Sequence, residues 1–161
     1  IHMTTGADAL NEATILAKKG RRVQLETVIG QDDAGKFIQA HCDDAGIMVR
    51  DACIKKDEKT GMNIVLVEQD GTRSFLTNPH GTLRSLKVEH IQMPFPESVK
   101  IVCFASIFVF PKIGPDKLVQ IFSQAKMQGK IVCADMTKRK KGEKLFRILI
   151  ICFQMMKRRC F

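Results

Sequence analysis

The chain has 161 residues, enough for one domain with a buried core, and its 45% hydrophobic and 27% charged composition excludes an intrinsically disordered chain. The net charge of +9 is concentrated at one end, because nine of the 26 basic residues but only one of the 17 acidic residues lie within 138–161. The remainder is almost neutral, so the charge of the fold itself does not predict a nucleic-acid-binding protein.

The six cysteines form no Cys-x-x-Cys pair and no Cys/His cluster with zinc spacing. This usage, together with the lack of a signal-peptide pattern at the start, predicts a cytoplasmic protein without metal ligands. The longest apolar run, IVCFASIFVF, is about half the length that a membrane span needs. The scattered histidines are expected to be surface or partly buried and not catalytic; they are His2, His41, His80 and His90.

Hydrophobic periodicity predicts the following elements in chain order. A helix is predicted over 9–19, a strand over 22–30, a second helix over 32–46 and an extended segment over 47–54. A hairpin over 62–77, a helical turn at 87–91, a strand over 100–110, a helix over 114–129 and a strand over 130–135 follow. Glycines at 20, 46 and 129 mark the ends of the three helices.

Alternating helices and strands predict parallel strands joined by right-handed crossovers, which is the α/β class. The segments 100–110 and 130–135 contain continuous apolar runs, typical of strands buried on both faces. Cys103 and Cys133 lie inside these runs and are expected to be buried as small hydrophobic residues. The hairpin lies outside the alternation and predicts a small β flap, with Asp-Gly at its turn.

The segment TTGADALNEA combines a glycine turn with the start of a helix. Gly6 permits close approach of the backbone to a small ligand, and Asp8 and Asn11 share a face at the helix start. A carboxylate and an amide together suit the adjacent hydroxyl groups of a polyol. The residues alone leave an alternative open, in which Asp8 caps the helix and Asn11 is simply solvated.

Several motifs in a fixed order resemble those of the PfkB/ribokinase carbohydrate kinases. The first signature reads Gly6-Ala7-x-x-x-Asn11, then Leu16 and Gly20, then Val28-Ile29-Gly30-x-Asp32-x-x-Gly35. Similar features follow over roughly residues 4–145, namely Thr60-Gly61, Asp70-Gly71-x-Arg73-Ser74-Phe75, SFLTNPHGTL and VCADMTKR. The chain departs from the family pattern at Ala7, which replaces the second glycine of a pair, and at Thr137, where many relatives carry Asn.

The resemblance implies a Rossmann-like three-layer α/β sandwich of the ribokinase type with a small β-sheet lid, incomplete in this chain. Such enzymes transfer the γ-phosphoryl group of ATP to a sugar hydroxyl with Mg²⁺, and we expect both cofactors for the full-length enzyme but bound by no residue of this chain. The implied substrate-binding residues are Gly6, Ala7, Asp8, Asn11, Asn63 in the lid, Ser106 and Arg139. Two alternatives stay open: Asn63 could satisfy a neighbouring strand, and Ser106 could be a strand-end hydrogen bonder.

Other motif residues are expected to be structural, with Asp32 as an N-cap and Gly35 at a packing position. The resemblance assigns the catalytic Asp and the phosphate cradle to a Gly-Ala-Gly-Asp motif, which this sequence does not contain. We therefore predict no catalytic residue here. The expected organisation is a partial domain over 1–145, cut at both ends, with lid strands near 48–80 and an aberrant basic tail over 146–161.

The tail has an explanation at the level of codons. Relatives are expected to continue with Phe-Pro-Asn-x-x-Glu-Ala, and codons for Phe-Pro-Asn-Asp-Glu-Glu-Ala read one base late translate as Phe-Gln-Met-Met-Lys-Arg. That is the sequence from Phe153 to Arg158. The hypothesis is that residues from about Phe146 onward are an out-of-frame product; the alternative is a genuine basic amphipathic tail for anionic lipid or nucleic acid.

Three functions are therefore weighed. The first is a fragment of an ATP-dependent sugar kinase, inactive alone, with a small-molecule sugar as its partner. The second is a non-catalytic sugar-binding or lid-mediated interaction module, for which a homodimer through the lid is expected. The third, a basic-tailed nucleic-acid or membrane binder, is disfavoured because the chain has no Trp or Tyr as a stacking platform. We expect neither nucleic acid nor membrane as a partner.

Overall fold

The computed structural model describes residues 2–135. Its helices are α1 (Asp8–Lys18), α2 (Asp33–Ala45) and α3 (Pro115–Met127). Its strands are β1 (Val23–Leu25), β2 (Ile29–Gly30), β3 (Ile47–Val49), β4 (Ile54–Lys55), β5 (Asn63–Val67), β6 (Arg73–Thr77), β7 (Ile101–Phe104) and β8 (Ile131–Ala134). No helix in this range is long and apolar enough to cross a membrane.

The chain divides into two compact units. Among the described residues, the first unit contains 2–92 together with 110–112, and the second contains 93–109 and 113–135. Helices alternate with parallel strand pairs in both units, which confirms the α/β class. The tail predicted over 146–161 lies outside the described residues.

The core of the first unit forms where α1 and α2 pack against the parallel pair β1–β3. Five buried side chains make up this core, namely Leu10, Ala13, Leu25, Cys42 and Ile47. Leu10, Ala13 and Cys42 lie on helix faces that the helical spacing predicts, while Leu25 and Ile47 come from β1 and β3. Both ends of α2 are also as expected, since the Asp32 side chain accepts from the Gly35 N–H and Gly46 is in the left-handed conformation.

The prediction of one strand over 22–30 is wrong, because β1 and β2 are separate strands. Each pairs in parallel with a different partner, β1 with β3 and β2 with β4. The partner segment is broken at the same level by a short 3₁₀ turn, Asp51–Cys53. At this level the Glu26 carboxylate accepts hydrogen bonds from two nitrogens of Arg50, from Nε at 3.0 Å and from Nη2 at 2.5 Å. A bidentate ion pair therefore occupies the position where strand pairing is interrupted.

One of the four histidines is more deeply buried than the surface or partly buried positions predicted for them. His90 is only 6% exposed, and its Nδ1 accepts a hydrogen bond from the Lys87 N–H across the helical turn Val88–His90. Burial, together with the positive charge of Lys55, lowers the pKa of His90. The neutral ring that this favours is the form that can accept the bond from Lys87.

The hairpin is confirmed as the antiparallel pair β5–β6, in the register Asn63 with Thr77 through Val67 with Arg73. Its turn is closed by a hydrogen bond from the Glu68 N–H to the Thr72 carbonyl, and Gly71 there has a φ of +86°. The hairpin is apolar on both faces. Its exposed apolar side chains are Ile64, Val65, Leu66, Val67, Phe75 and Leu76, which are 45–63% exposed.

The second unit pairs β7 with β8 in parallel, and α3 connects the two strands. Leu118, Ile121 and Phe122 lie on the buried face of α3, and Phe104 of β7 packs edge-on against Phe122 with ring centroids 6.2 Å apart. Pro115 begins α3 at its first turn, as predicted.

The expected burial of Cys103 and Cys133 is wrong, since both are exposed. They alternate along β7 and β8 with the residues that pack towards α3, and they share their outer face with Ile101 and Ile131, which are 56% and 54% exposed. Within the described residues, α3 shields only one face of the strand pair. A continuous apolar run therefore indicated burial on both faces where only one is covered.

Candidate functional site

The candidate site begins at the turn that leads into α1. Gly6, Ala7, Asp8 and Asn11 are all exposed, so a small molecule can reach each of them. The N–H of Asn11 donates to the Ala7 carbonyl at 3.0 Å and forms the first full turn of the helix. This turn brings the carboxylate and the amide onto one side of the helix start, as the three-residue spacing predicts.

Ala7 holds a backbone conformation that normally requires glycine. It is the N-cap of α1 with φ 76° and ψ 143°, a region that L-residues seldom enter. The departure noted in the sequence, alanine in place of a second glycine, thus falls at the position where the fold uses a glycine conformation. The strain belongs to the turn that shapes the candidate site.

The alternative that Asp8 caps the helix is wrong. Ala7 occupies the N-cap position and has no side chain that can cap, while Asp8 is the first residue inside the helix. A carboxylate in the first turn interacts favourably with the positive end of the helix dipole. Asp8 therefore stands at the helix start as an exposed acceptor beside Asn11.

Asn63 lies at the base of the hairpin, where it is paired with Thr77. The Thr77 hydroxyl donates to Asn63 Oδ1 at 2.5 Å, and both side chains are exposed. Asn63 thus accepts a hydrogen bond from the neighbouring strand, as one of the alternatives expected. Because this bond uses the amide oxygen, the NH₂ group is the part of the side chain that can donate to a ligand.

Ser106 lies two residues beyond the carboxyl end of β7. It is buried and has an unusual positive φ of 49°. Its hydroxyl donates to Asp135 Oδ2 at 3.5 Å, and Asp135 lies at the carboxyl end of the parallel strand β8. Ser106 is therefore a strand-end hydrogen bonder, on the edge where α/β proteins bind ligands. Asp135 was not among the site residues predicted from the sequence.

The predicted site residues fall into three groups. Gly6, Ala7, Asp8, Asn11 and Asn63 belong to the first unit, whereas Ser106 belongs to the second. Arg139 lies outside the described residues.

Asp32 belongs to a polar network that the sequence did not predict. Only its role as the N-cap of α2 was expected. The Asp32 carboxylate accepts from the Thr60 hydroxyl and N–H as well as from the Gly35 N–H. Burial opposes the charged form, but these hydrogen bonds outweigh it and lower the pKa of Asp32. The only signal in the sequence was that Asp32 and the Thr60-Gly61 pair both belong to family-like motifs.

Within residues 2–135, no group of three or more Asp, Glu, His or Cys side chains could hold a metal ion. The expected Mg²⁺ concerns the full-length enzyme and stays a prediction. The oxygen- and nitrogen-bearing groups at the α1 start and at Asn63 instead suit hydrogen bonding to a neutral polar molecule.

Comparison with known proteins places the chain in a family. The model of the pfkB family carbohydrate kinases matches residues 1–150. The fructokinase of Xylella fastidiosa is 24% identical, with a TM-score of 0.65 over 81% of this chain and 40% of its own. A putative ribokinase II from E. coli is 17% identical, with a TM-score of 0.72 over 93% of this chain and 49% of its own.

An adenosine kinase from Schistosoma mansoni, in complex with 2-fluoroadenosine, also matches, with 21% identity and a TM-score of 0.60 over 78% of this chain and 37% of its own. The chain thus spans less than half the length of each of these three structures. The predicted ribokinase-type fold, incomplete in this chain, is confirmed. With a family match over nearly its whole length, the chain belongs to the pfkB family of carbohydrate kinases.

Proposed function

We propose that this chain is the sugar-binding part of an ATP-dependent kinase that transfers the γ-phosphoryl group of ATP to a sugar hydroxyl. The observation that carries the proposal is the exposed α1 start, where Asp8 and Asn11 stand together behind the strained Ala7 turn. Family membership supplies the reaction class, and a fructokinase of known structure with bound ATP is 25% identical to this chain.

The polar groups fit a polyhydroxylated molecule. The Asp8 carboxylate accepts hydrogen bonds from hydroxyl groups, and the Asn11 amide both donates and accepts. Asn63 adds a donor, because Thr77 holds its amide oxygen. A sugar hydroxyl is both donor and acceptor, so alternating partners of this kind discriminate it from a simple ion or an apolar ligand.

Phosphoryl transfer further requires a cradle for the phosphates and a group that orients the attacking hydroxyl. The sequence contains no Gly-Ala-Gly-Asp, the motif that the family resemblance associates with both roles. We therefore propose that the chain, on its own, binds sugar without phosphorylating it. In the complete enzyme, ATP would supply the phosphoryl group and Mg²⁺ would neutralise charge on it, with ligands that this chain is not expected to provide.

Sugar binding to the chain as it stands is the first test. Calorimetric titration with a panel of ketoses, aldoses and a ribonucleoside should identify at least one that binds. Asp8→Ala and Asn11→Ala should each weaken that binding by about tenfold, as for the loss of one charged or amide hydrogen-bond partner. Asp33→Ala is the matched control, because Asp33 is the first residue of α2 and its exposed carboxylate pairs with the nearby Lys36.

Phosphoryl transfer is the second test. With ATP, Mg²⁺ and the sugar that binds, this chain should show no turnover, and a full-length version, complete at both ends and with the reading frame restored beyond residue 145, should show it. Turnover by the chain alone would contradict the proposed inactivity. Absence of turnover in the restored enzyme with every sugar would contradict the kinase assignment itself.

A second candidate function is an interaction module that dimerises through the hairpin, favoured by the exposed apolar side chains on both of its faces. By register, Ile64, Leu66 and Leu76 share one face, while Val65 and Phe75 share the other with Asn63. Sedimentation should show a dimer that Ile64→Thr with Leu66→Thr dissociates. Val65→Thr with Phe75→Thr is the control on the Asn63 face, and a monomeric parent chain would rule out this candidate.

A further inference from the structure

The hairpin β5–β6 joins the rest of the first unit through a polar root, formed by Asp32, Thr60, Met62, Asn78 and Thr82. Thr60 is at its centre and is only 2% exposed. Its hydroxyl and N–H both donate to the Asp32 carboxylate, at 2.5 and 2.9 Å, and its hydroxyl oxygen accepts from the Gly30 N–H at 3.0 Å. The chain that enters the hairpin is thus tied to the N-terminus of α2.

Asn78 ties the chain that leaves the hairpin to the chain that enters it. Its Nδ2 donates to the Thr60 carbonyl at 3.2 Å, and its Oδ1 accepts from the Met62 N–H at 2.8 Å. Its own N–H donates to the Met62 carbonyl at 3.2 Å. Asn78 therefore replaces the next rung of the β-ladder, because its side chain holds the Met62 N–H and its backbone N–H holds the Met62 carbonyl.

A second pair of bonds supports the same root from the other side. The Gly61 N–H donates to the Thr82 hydroxyl at 3.1 Å, and the Thr82 N–H donates to the Lys59 carbonyl at 2.8 Å. Gly81 packs so closely that a Cβ there would lie 2.4 Å from Asn78 Nδ2. A side chain at position 81 would therefore collide with the Asn78 amide, and glycine leaves the amide the space in which it makes these bonds.

Beyond the root, the hairpin is held in the described residues mainly by its own strand pairing. Every residue from Asn63 to Thr77 is exposed, in contrast to the buried Thr60 and Thr82. Local opening is cheapest where few buried contacts must break, so bending is expected to begin where the root ends. That place is the step from Met62 and Asn78 to the next pair, Asn63 and Thr77.

We propose that Asn78 is a positioning residue, which fixes Met62 so that the hairpin bends only above the root and Asn63 keeps a fixed place at its base. Asp32 anchors this arrangement through Thr60. The proposal rests on the proposed function in one respect, namely that Asn63 donates to the sugar. Neither Asn78 nor Asp32 needs to contact the ligand.

Residue-resolved amide exchange on the full chain tests the positioning directly. In Asn78→Ala, the Met62 amide loses its acceptor and should exchange about tenfold faster, while amides within α2 keep their rates. Asn78→Asp retains an acceptor oxygen for Met62 and should preserve most of that protection. Asp70→Ala is the matched control, because Asp70 caps the hairpin tip through the Thr72 N–H and lies far along the ribbon from the root.

Sugar affinity is the second measurement. A purely structural role of Asn78 would not rank the affinities of the three variants in the following order. Asn78→Ala should weaken binding about tenfold, Asn78→Asp less, and Asp70→Ala not at all. Unchanged Met62 exchange in Asn78→Ala, or an equal effect of Asp70→Ala on Met62, overturns the proposal. If the parent chain binds no sugar, the proposed function fails, and the exchange pattern still decides whether Asn78 sets the hairpin root.

Discussion

Ala7 shows how one side chain can oppose the backbone that the fold requires. Its φ of 76° and ψ of 143° lie in a region open almost only to glycine, at a cost on the order of 1–3 kcal/mol for other residues. The cost is sustained because Leu10 and Ala13 of the same helix are buried in the core. The first turn of α1 is therefore held in place from its packed side.

Ala7→Gly should stabilise the chain by about 1 kcal/mol, since relief of the strained conformation exceeds the added freedom of glycine in the unfolded state. Urea unfolding monitored by circular dichroism measures this as a higher midpoint. Ala17→Gly, within the regular part of α1, is the control and should destabilise by about 1 kcal/mol. A lower midpoint for Ala7→Gly would show that the turn is unstrained.

Asp32 makes the stability of the first unit depend on pH. Its pKa lies below the ordinary 3.8, because hydrogen bonds from Thr60 and Gly35 outweigh the effect of burial. A group with a depressed pKa stabilises the fold at pH values above its pKa in the unfolded state. This stabilisation is lost as the pH falls from about 3.8 through the pKa of the folded state. Acid therefore weakens the hairpin root through this group.

In Asp32→Asn, this part of the acid sensitivity should disappear, along with some stability at neutral pH. Thermal unfolding at neutral pH and at about pH 3 measures both effects. Asp33→Asn is the control, because Asp33 is the exposed neighbour that pairs with Lys36. Equal acid sensitivity in Asp32→Asn and the parent chain would contradict the role given to Asp32.

At the scale of elements, the helices could be predicted closely because their ends carry local signals. Asp32, Gly46 and Pro115 mark boundaries through capping and backbone geometry, which depend on a few adjacent residues. The strand over 22–30 could not be predicted, because its break coincides with an ion pair between Glu26 and the distant Arg50. Single-sequence patterns contain no record of such long-range pairing.

The candidate site follows the same division. The Gly6–Asn11 turn is one local segment, so its residues were predicted together and lie together. The root bonds of Asn78 and Asp32 join residues 18 and 28 positions apart, and no periodicity reveals them. The geometry of the local turn was therefore predictable, and the network that supports the hairpin was not.

The exposed face of β7–β8 predicts a difference among the cysteines. Cys103 and Cys133 should react readily with a maleimide in the native chain, whereas Cys42 and Cys53, both 0% exposed, should react only on unfolding. Burial also raises the pKa of Cys42 and Cys53, which reduces their thiolate fraction at neutral pH. Site-resolved mass spectrometry measures the rates. Protection of Cys103 and Cys133 equal to that of Cys42 would mean that their face is covered.

At the scale of the whole molecule, the family match extends over residues 1–150, while the structures compared are more than twice as long as the stretch they share with this chain. The chain therefore shares less than half the length of these structures. The basic residues within 138–161 contribute most of the net charge of +9, and they lie in or next to the segment interpreted as a shifted reading frame.

The gene should carry an in-frame Asn-x-x-Glu once one base is restored near the codon for Phe146. Sequencing of genomic DNA across residues 140–161 and the bases beyond measures this directly. Transcript sequencing is the control, because it separates a change in the gene from an error in the copied message. An uninterrupted frame with no such motif in either alternative reading would favour a genuine basic tail.

The root around Asn78 has one more consequence, which concerns swapping of the hairpin between related proteins. Because Met62 and Asn78 are bonded to each other on both sides, the ribbon from 63 to 77 leaves the fold and returns to it at a single seam. A segment with neighbouring ends can be swapped as a cassette without altering the path of the chain on either side. The ribbon can accordingly be engineered separately from the rest of the first unit.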